Sequence, residues 1–229
     1  MKRTLLVIAK RPVAGQTKTR LSPPLSLEQA AALYECFLRD TLDVARGVPH
    51  VTRGINYLPR EAEQYFRALA PDFDLLLQTG NDLGERLDYA LTHCLENGFD
   101  RAVIMDSDSP TLPADYLARA FNALDDNDVV LGPCADGGYY LIGLKKPAPR
   151  LFLEIKMSTP FVVRDTLELA RQENLRAALL PEWYDVDTAN ELEQLRAELK
   201  RGAEDAPFTR EFLMRYPIGD SRLAIRDTP

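Results

Sequence analysis

Short apolar runs alternate with amphipathic helical patterns along residues 4–200, and that alternation restricts the fold more than any other property of the chain. Ala102 to Met105 is too short for a helix and too apolar for a loop, which predicts a strand covered on both faces. Residues 4–9, 50–58, 73–78, 128–133, 139–144 and 177–180 read as strands by the same criterion. Helical patterns fall between them. Ser26, followed by Glu28 and Gln29, opens a long one that ends near Gly47; others cover residues 60–70, 83–97, 114–124, 160–173 and 188–200. Only a few residues, Gly137 and Gly138 among them, separate residues 133 and 139. So short a connection permits an antiparallel pair and forbids a parallel crossover. The expectation is a three-layer αβα fold of the α/β class, with a doubly wound, mixed but mostly parallel sheet. Residues 1–200 form one domain on this reading. Residues 201–229 are a polar tail anchored by Phe208, Phe212, Leu213 and Tyr216, packed on the domain or on a neighbouring subunit, so a homo-oligomer is compatible with it.

Charge and cysteine usage exclude several functions. The net charge of −7 opposes nucleic-acid binding. Cys36, Cys94 and Cys134 are odd in number and unpaired in spacing, which opposes a disulfide framework and a zinc site. With His50 and His93 the only histidines, a metal here should be a hard one held by oxygen. No segment is long enough to span a membrane, and the apolar run Leu5 to Ala9 is shorter than a signal-peptide core, so a cytoplasmic location is expected.

In open α/β sheets ligands lie beyond the carboxyl ends of the strands, so the loops there carry the chemistry. The first, AKRPVAGQTKTRLSP, holds Lys10, Arg11, Lys18 and Arg20, with Gly15 at a tight turn. Six of the 28 basic residues and none of the 35 acidic ones lie in the first 27 positions, which favours a local phosphate site over a solvated basic loop. Neither a Walker A pattern nor GxGxxG is present. The loop QTGNDLGERLDYAL offers Gln78 and Asn81 as readers of a base or ribose, with Gly80 and Gly84 for close backbone approach; an ordinary turn and N-cap explains it equally well. Glu85 and Arg86 read as solvated helix residues or a local ion pair. Asp136, in CADGGYY, is either an acceptor-side base or part of a plain hairpin turn.

Two D-x-D pairs complete the set. Asp106 and Asp108 sit where the central strand ends, in DSDSPTLP, and i, i+2 spacing in extended backbone points both carboxylates to one side. Asp185 and Asp187, in WYDVDT, repeat the arrangement after the last strand. Either pair alone is explained by helix capping. Two of them opposite a basic loop indicate a metal–polyphosphate site.

These loops, in this order, resemble the nucleotide-diphospho-sugar transferase superfamily with the GT-A fold. The marks AKxPxxGxxKTRL, GxDLGERL, DSPxLP, GPxxDGGYYLIGL and WYDVDT resemble in particular a bacterial family of small glycosyltransferases associated with arsenosugar biosynthesis, related to guanylyltransferases of the molybdenum cofactor and of 2-phospholactate. The resemblance implies Asp108 as principal ligand of Mg²⁺ or Mn²⁺ and Asp187 as the second. It implies Lys18 and Arg20 on nucleotide phosphates and Leu83 and Gly84 near the base; the loops themselves offer Lys10, Gly15, Gln78, Gly80 and Asp106 as further nucleotide-site candidates. Two departures are visible: Met157 stands where the family has tryptophan, and Asn81 is extra in its loop.

Two reactions follow. In glycosyl transfer, which family resemblance favours, the metal stabilises the diphosphate leaving a nucleotide-sugar and Asp136 deprotonates a small-molecule acceptor. In nucleotidyl transfer, which the KTRL loop suits, an acceptor phosphate attacks a nucleoside triphosphate and Lys18 and Arg20 stabilise the departing pyrophosphate. The catalytic set is Asp108, Lys18, Arg20 and Asp136. A non-catalytic nucleotide-binding protein is the third alternative, against which the intact aspartates count.

Overall fold

The structure, a computed structural model, describes residues 1–201 and 206–216. Seven strands form one sheet: β1 Arg3–Lys10, β2 Thr52–Leu58, β3 Asp74–Leu77, β4 Arg101–Met105, β5 Val129–Pro133, β6 Tyr139–Leu144 and β7 Ala177–Leu179, in the order β3-β2-β1-β4-β6-β5-β7. β6 is antiparallel to β4 and β5, and every other neighbouring pair is parallel. The mixed, mostly parallel sheet expected from the sequence is therefore present.

Helices cover both faces. α1 Leu27–Arg46, α2 Glu63–Leu69 and α4 Ala114–Asp126 pack on one, where Leu5, Val7, Val103 and Met105 meet Leu38, Phe66 and Phe121. α3 Leu83–Glu96, α5 Arg150–Leu153 and α6 Val162–Gln172 pack on the other against Leu6, Ala102, Ile104 and Leu131. The alternation of Leu5, Leu6 and Val7 between the two clusters is the period-2 geometry of a strand buried on both sides. A third cluster joins the start of α1 to α7 Ala189–Lys200 and α8 Pro207–Arg215.

The chain builds β1, β2 and β3 outward on one side and then crosses β1 to lay down β4 on its other edge. The order thus reverses between β1 and β4, and the crevice beyond their carboxyl ends is the expected ligand site.

Some boundaries differ from the sequence expectation for physical reasons. His50 adopts φ 59, a left-handed conformation foreign to a strand, so β2 starts at Thr52. Residues 60–62 form a single 3-10 turn before α2. Part of the polar tail is α8, whose start is capped from another helix: Asp40, on α1 and fully buried, accepts hydrogen bonds from Phe208 N–H at 3.0 Å and Thr209 N–H at 2.8 Å. The rest of the expected tail, residues 202–205 and 217–229, lies outside the described residues.

Two backbone donors on one buried carboxylate make Asp40 the main polar tie between α8 and the domain. Asp40→Ala is expected to cost about 2 kcal/mol or more, read as a lower urea midpoint with faster amide exchange over residues 207–215; an unchanged midpoint would exclude that role for the cap.

Candidate active site

The DSDSP turn is folded by its own first aspartate. Asp106 N–H donates to Tyr140 C=O at 2.9 Å, which ends the pairing of β4 with β6. The Asp106 carboxyl then accepts from Asp108 N–H at 3.2 Å and lies 3.2 Å from Ser109 Oγ. Burial first, and the Asp108 charge second, hold this carboxyl well above the usual carboxylate range. Ser107 Oγ donates to Ile8 C=O at 3.0 Å and lies 2.8 Å from Tyr34 Oη, which accepts from Lys10 N–H at 3.2 Å. With the serine hydrogen spent on Ile8, the tyrosine hydroxyl is the donor to Ser107. One relay therefore runs from the basic loop through α1 to the acidic turn. Burial, with the Asp108 charge second, pushes the Tyr34 hydroxyl up to about 12.

The second D-x-D is stitched to the first through the backbone. Val186 N–H donates to Asp108 C=O at 3.0 Å, and Ser109 Oγ donates to Tyr184 C=O at 3.0 Å. Val186 is fully buried, so the residues flanking it turn their side chains the other way. Thr188 caps α7: its side chain accepts from Asn190 N–H, while Glu191 reaches back to accept from Thr188 N–H at 2.6 Å. Capping thus belongs to Thr188, and Asp187 is not the residue that caps α7.

Lys18 closes the site. It adopts φ 49, the left-handed region, at the start of the single 3-10 turn Thr19–Leu21. Its Nζ lies 2.6 Å from Asp187 Oδ1 and 3.0 Å from Asp108 Oδ1. Burial alone would lower its pKa; the two carboxylates outweigh burial and leave it above the usual lysine value. Arg20 is mostly exposed and stands 3.6 Å from Asp187 Oδ2. Carboxylate oxygens from two separate loops therefore converge on one cation-sized position, and hard oxygen donors are what Mg²⁺ and Mn²⁺ take.

These groups line a cavity of about 430 Å³ with Ile8, Ala9, Lys10, Gln16, Tyr34, Gln78, Leu83, Arg86, Asp106, Ser107 and Ser158. Of the residues singled out in the sequence, Lys10, Lys18, Arg20, Gln78, Leu83, Asp106, Asp108 and Asp187 meet there; Gly15, Gly80, Gly84 and Asp136 do not line it. Gly84 has a packing reason instead, since a Cβ there would stand 2.4 Å from Phe152 C=O. Gly80, at φ 136, lets the loop fold tightly onto the start of α3. Gln78 is fixed: Nε2 donates to Ala9 C=O at 3.1 Å and to Asn56 C=O at 2.9 Å, which spends both amide hydrogens and leaves its oxygen as the remaining polar atom.

Arg86, expected as a solvated helix residue, donates to Gly80 C=O and Asn81 C=O and lines the cavity. Glu85 pairs not with Arg86 but with Asn81, accepting from its backbone N–H at 2.7 Å and its side chain at 2.9 Å. The extra Asn81 therefore folds back on its own loop. Beside the departure at Met157, whose Sδ lies 3.9 Å from Tyr139 Oη, Ser158 reaches the cavity.

The spacing of Cys134 in the sequence opposes a metal site, yet its sulfur and carboxylate oxygens of Asp136 and Asp185 lie within 4.8 Å of one another. A backbone bridge between Cys134 and Trp183 makes this proximity, and no local sequence pattern encodes it. Burial, then the Asp187 and Asp136 charges, push Asp185 up to about 6; burial also pushes the Cys134 thiol up.

The profile of a family described as "uncharacterized protein conserved in bacteria (DUF2064)" matches residues 41–159, over half of the chain. The chain belongs to this family. A crystal structure from Desulfovibrio desulfuricans G20, provisionally described as a nucleotide-diphospho-sugar transferase, is 34% identical to the DUF2064 chain, covers 94% of it and 95% of its own length, and superposes with a TM-score of 0.87. The 2-phospho-L-lactate guanylyltransferase of Methanothermobacter thermautotrophicus is 26% identical over 93% of both chains. A CMP:2-keto-3-deoxy-manno-octonic acid synthetase solved with CTP shares the fold, at 13% identity, 88% coverage of the DUF2064 chain, 99% of its own, and a TM-score of 0.58. The arsenosugar association expected from the motifs finds no support among these relatives.

The relay through Tyr34 gives a direct test of how the two loops are held. Tyr34→Phe leaves Lys10 N–H without its acceptor and is expected to cost about 1–3 kcal/mol, measured by urea denaturation; a change below about 0.3 kcal/mol would mean that water replaces the hydroxyl.

Proposed function

We infer that the chain transfers a nucleotidyl group from a nucleoside triphosphate to a phosphorylated small molecule, releasing pyrophosphate. A transferase that works with activated nucleotides is the common statement of its relatives. The observation that carries the finer reading is the composition of the cavity. Four basic side chains line it, Lys10, Lys18, Arg20 and Arg86, and each of its three carboxylates is engaged: Asp106 with its own turn, Asp108 and Asp187 with Lys18. Asp136, the acceptor-side base required in the glycosyl reading, lies outside it. An acceptor phosphate is already an anion and needs no base.

In this chemistry an acceptor phosphate oxygen forms a bond to the α-phosphorus while the bond from that phosphorus to the bridging oxygen of pyrophosphate breaks. Lys18 and Arg20 stabilise the charge that collects on the leaving group. Gln78 and Leu83, which line the cavity, would lie near the base. Asp108 and Asp187 would hold Mg²⁺ or Mn²⁺, which when bound supplies charge neutralisation on the polyphosphate. Glycosyl transfer is the second reading, favoured by the provisional description of the Desulfovibrio relative at 34% identity.

Product identity separates the two. Protein with Mn²⁺ and a pool of phosphorylated acceptors is expected to release pyrophosphate from one of GTP, CTP, ATP or UTP; release of nucleoside diphosphate from a nucleotide-sugar with no turnover of any triphosphate would sink the nucleotidyl reading. Asp108→Asn is expected to lower turnover by at least about 100-fold with the melting temperature little changed, and full activity in that variant would remove Asp108 from the reaction.

A further inference from the structure

Lys18 occupies the position where a cation held by Asp108 and Asp187 belongs, and this has a consequence for the form in which a cation enters. We propose that the carboxylate pair takes a divalent cation as its chelate with a polyphosphate and discriminates against the free ion, with Lys18 as the residue that makes the distinction. The proposal rests on the nucleotide-transfer reading above.

The Lys18 side chain is 6% exposed, whereas those of Asp108 and Asp187 are 34% and 39% exposed. The ammonium is therefore inside the pair, and the carboxylates turn their accessible surface towards the cavity. A free dication reaching both carboxylates would displace an ammonium at hydrogen-bond distance from each. It would leave that ammonium buried, without an anionic partner and beside a like charge, which is costly on both counts. A dication arriving with phosphate oxygens removes the difficulty, because the ammonium exchanges two carboxylates for phosphate and keeps an anionic partner throughout.

The backbone supports movement of the side chain alone. The turn that follows Lys18 is anchored by the fully buried Leu21, and Val13 N–H and C=O are both bonded to the Thr17 hydroxyl, at 3.2 and 3.1 Å. The four-carbon stem of lysine supplies the travel. Binding of cation and polyphosphate is then coupled through one residue, and the coupling acts equally in both directions.

The test measures protein-bound Mn²⁺ by equilibrium dialysis at fixed free Mn²⁺, with and without inorganic tripolyphosphate, for the wild-type protein, Lys18→Met, Lys18→Gln and Asp108→Asn, each first shown to be folded by circular dichroism. The wild-type protein is expected to bind Mn²⁺ about tenfold more tightly with tripolyphosphate than without. Both Lys18 variants are expected to bind free Mn²⁺ about tenfold more tightly than the wild type and to lose the tripolyphosphate effect. Asp108→Asn should bind Mn²⁺ in neither condition. Lys18 variants that bind free Mn²⁺ no more tightly than the wild type overturn the proposal, and so does a wild-type affinity indifferent to tripolyphosphate; in both cases Mn²⁺ binding that Asp108→Asn abolishes leaves the metal-dependent transfer reading standing. Absence of Mn²⁺ binding by the wild type in both conditions overturns that reading together with the proposal.

Discussion

Two carboxylates from distant parts of a chain can be held within a few ångströms of each other by a positive charge that stands between them. Here Asp108, after the fourth strand, and Asp187, after the seventh, share the ammonium of Lys18 from the loop after the first. Three loops that follow strands are thus tied at one point, and the sheet order puts that point at the crevice between β1 and β4. The backbone has prepared the encounter. Val186 N–H on Asp108 C=O brings the two acidic segments together whatever their side chains do, and the Tyr34 to Ser107 relay holds the basic loop to the acidic turn. Charge compensation then needs to correct only side-chain positions, which is why a non-glycine residue can keep the left-handed conformation seen at Lys18, worth roughly 1–2 kcal/mol of strain.

The layer architecture was legible because, apart from the hairpin of β5 and β6, successive strands are separated by helical patterns, and period and length together distinguish the two. Leu5, Leu6 and Val7 alternate between faces as an apolar run in a doubly covered sheet must. The acidic turn was legible for a similar reason, since Asp106 and Asp108 follow a strand whose length leaves no other exit. What was illegible depended on contacts between segments far apart in sequence. Cys134 comes next to Asp185 through a bridge to Trp183 that no spacing foretells. Arg86 looks from its neighbours like a solvated partner of Glu85, yet the tight fold of the loop at Gly80 turns it to two backbone carbonyls and the cavity wall. The tail helix α8 shows its apolar anchors Phe212 and Leu213 in the sequence, but the cap at its start comes from outside, from Asp40 on α1.

Glycines divide along the same line. In a loop rich in functional residues a glycine invites a ligand-facing interpretation, and GNDLG admits that one beside an ordinary turn and N-cap. The room that Gly84 leaves is filled by Phe152 C=O, so its small size serves the packing of α3 against α5. Such a need arises only when two helices meet, and so it has no local signature. Gln78, by contrast, keeps a place in the cavity wall because its amide is locked by the carbonyls of Ala9 and Asn56, on β1 and β2.

The charge pattern of the cavity limits what can fill it. Lys10, Lys18, Arg20 and Arg86 would suffice for a simple anion, which three carboxylates in the same wall would repel. Asp106, Asp108 and Asp187 would suffice for a simple cation, which four bases would oppose. Both sets in one cavity, with the strongest pairing between them made by Lys18, suit a ligand that itself carries separated charges of both signs. A metal chelate of a polyphosphate would be such a ligand: carboxylate oxygens would take its cation and ammonium and guanidinium groups its phosphates, and the internal ion pair could exchange partners without leaving a buried charge alone.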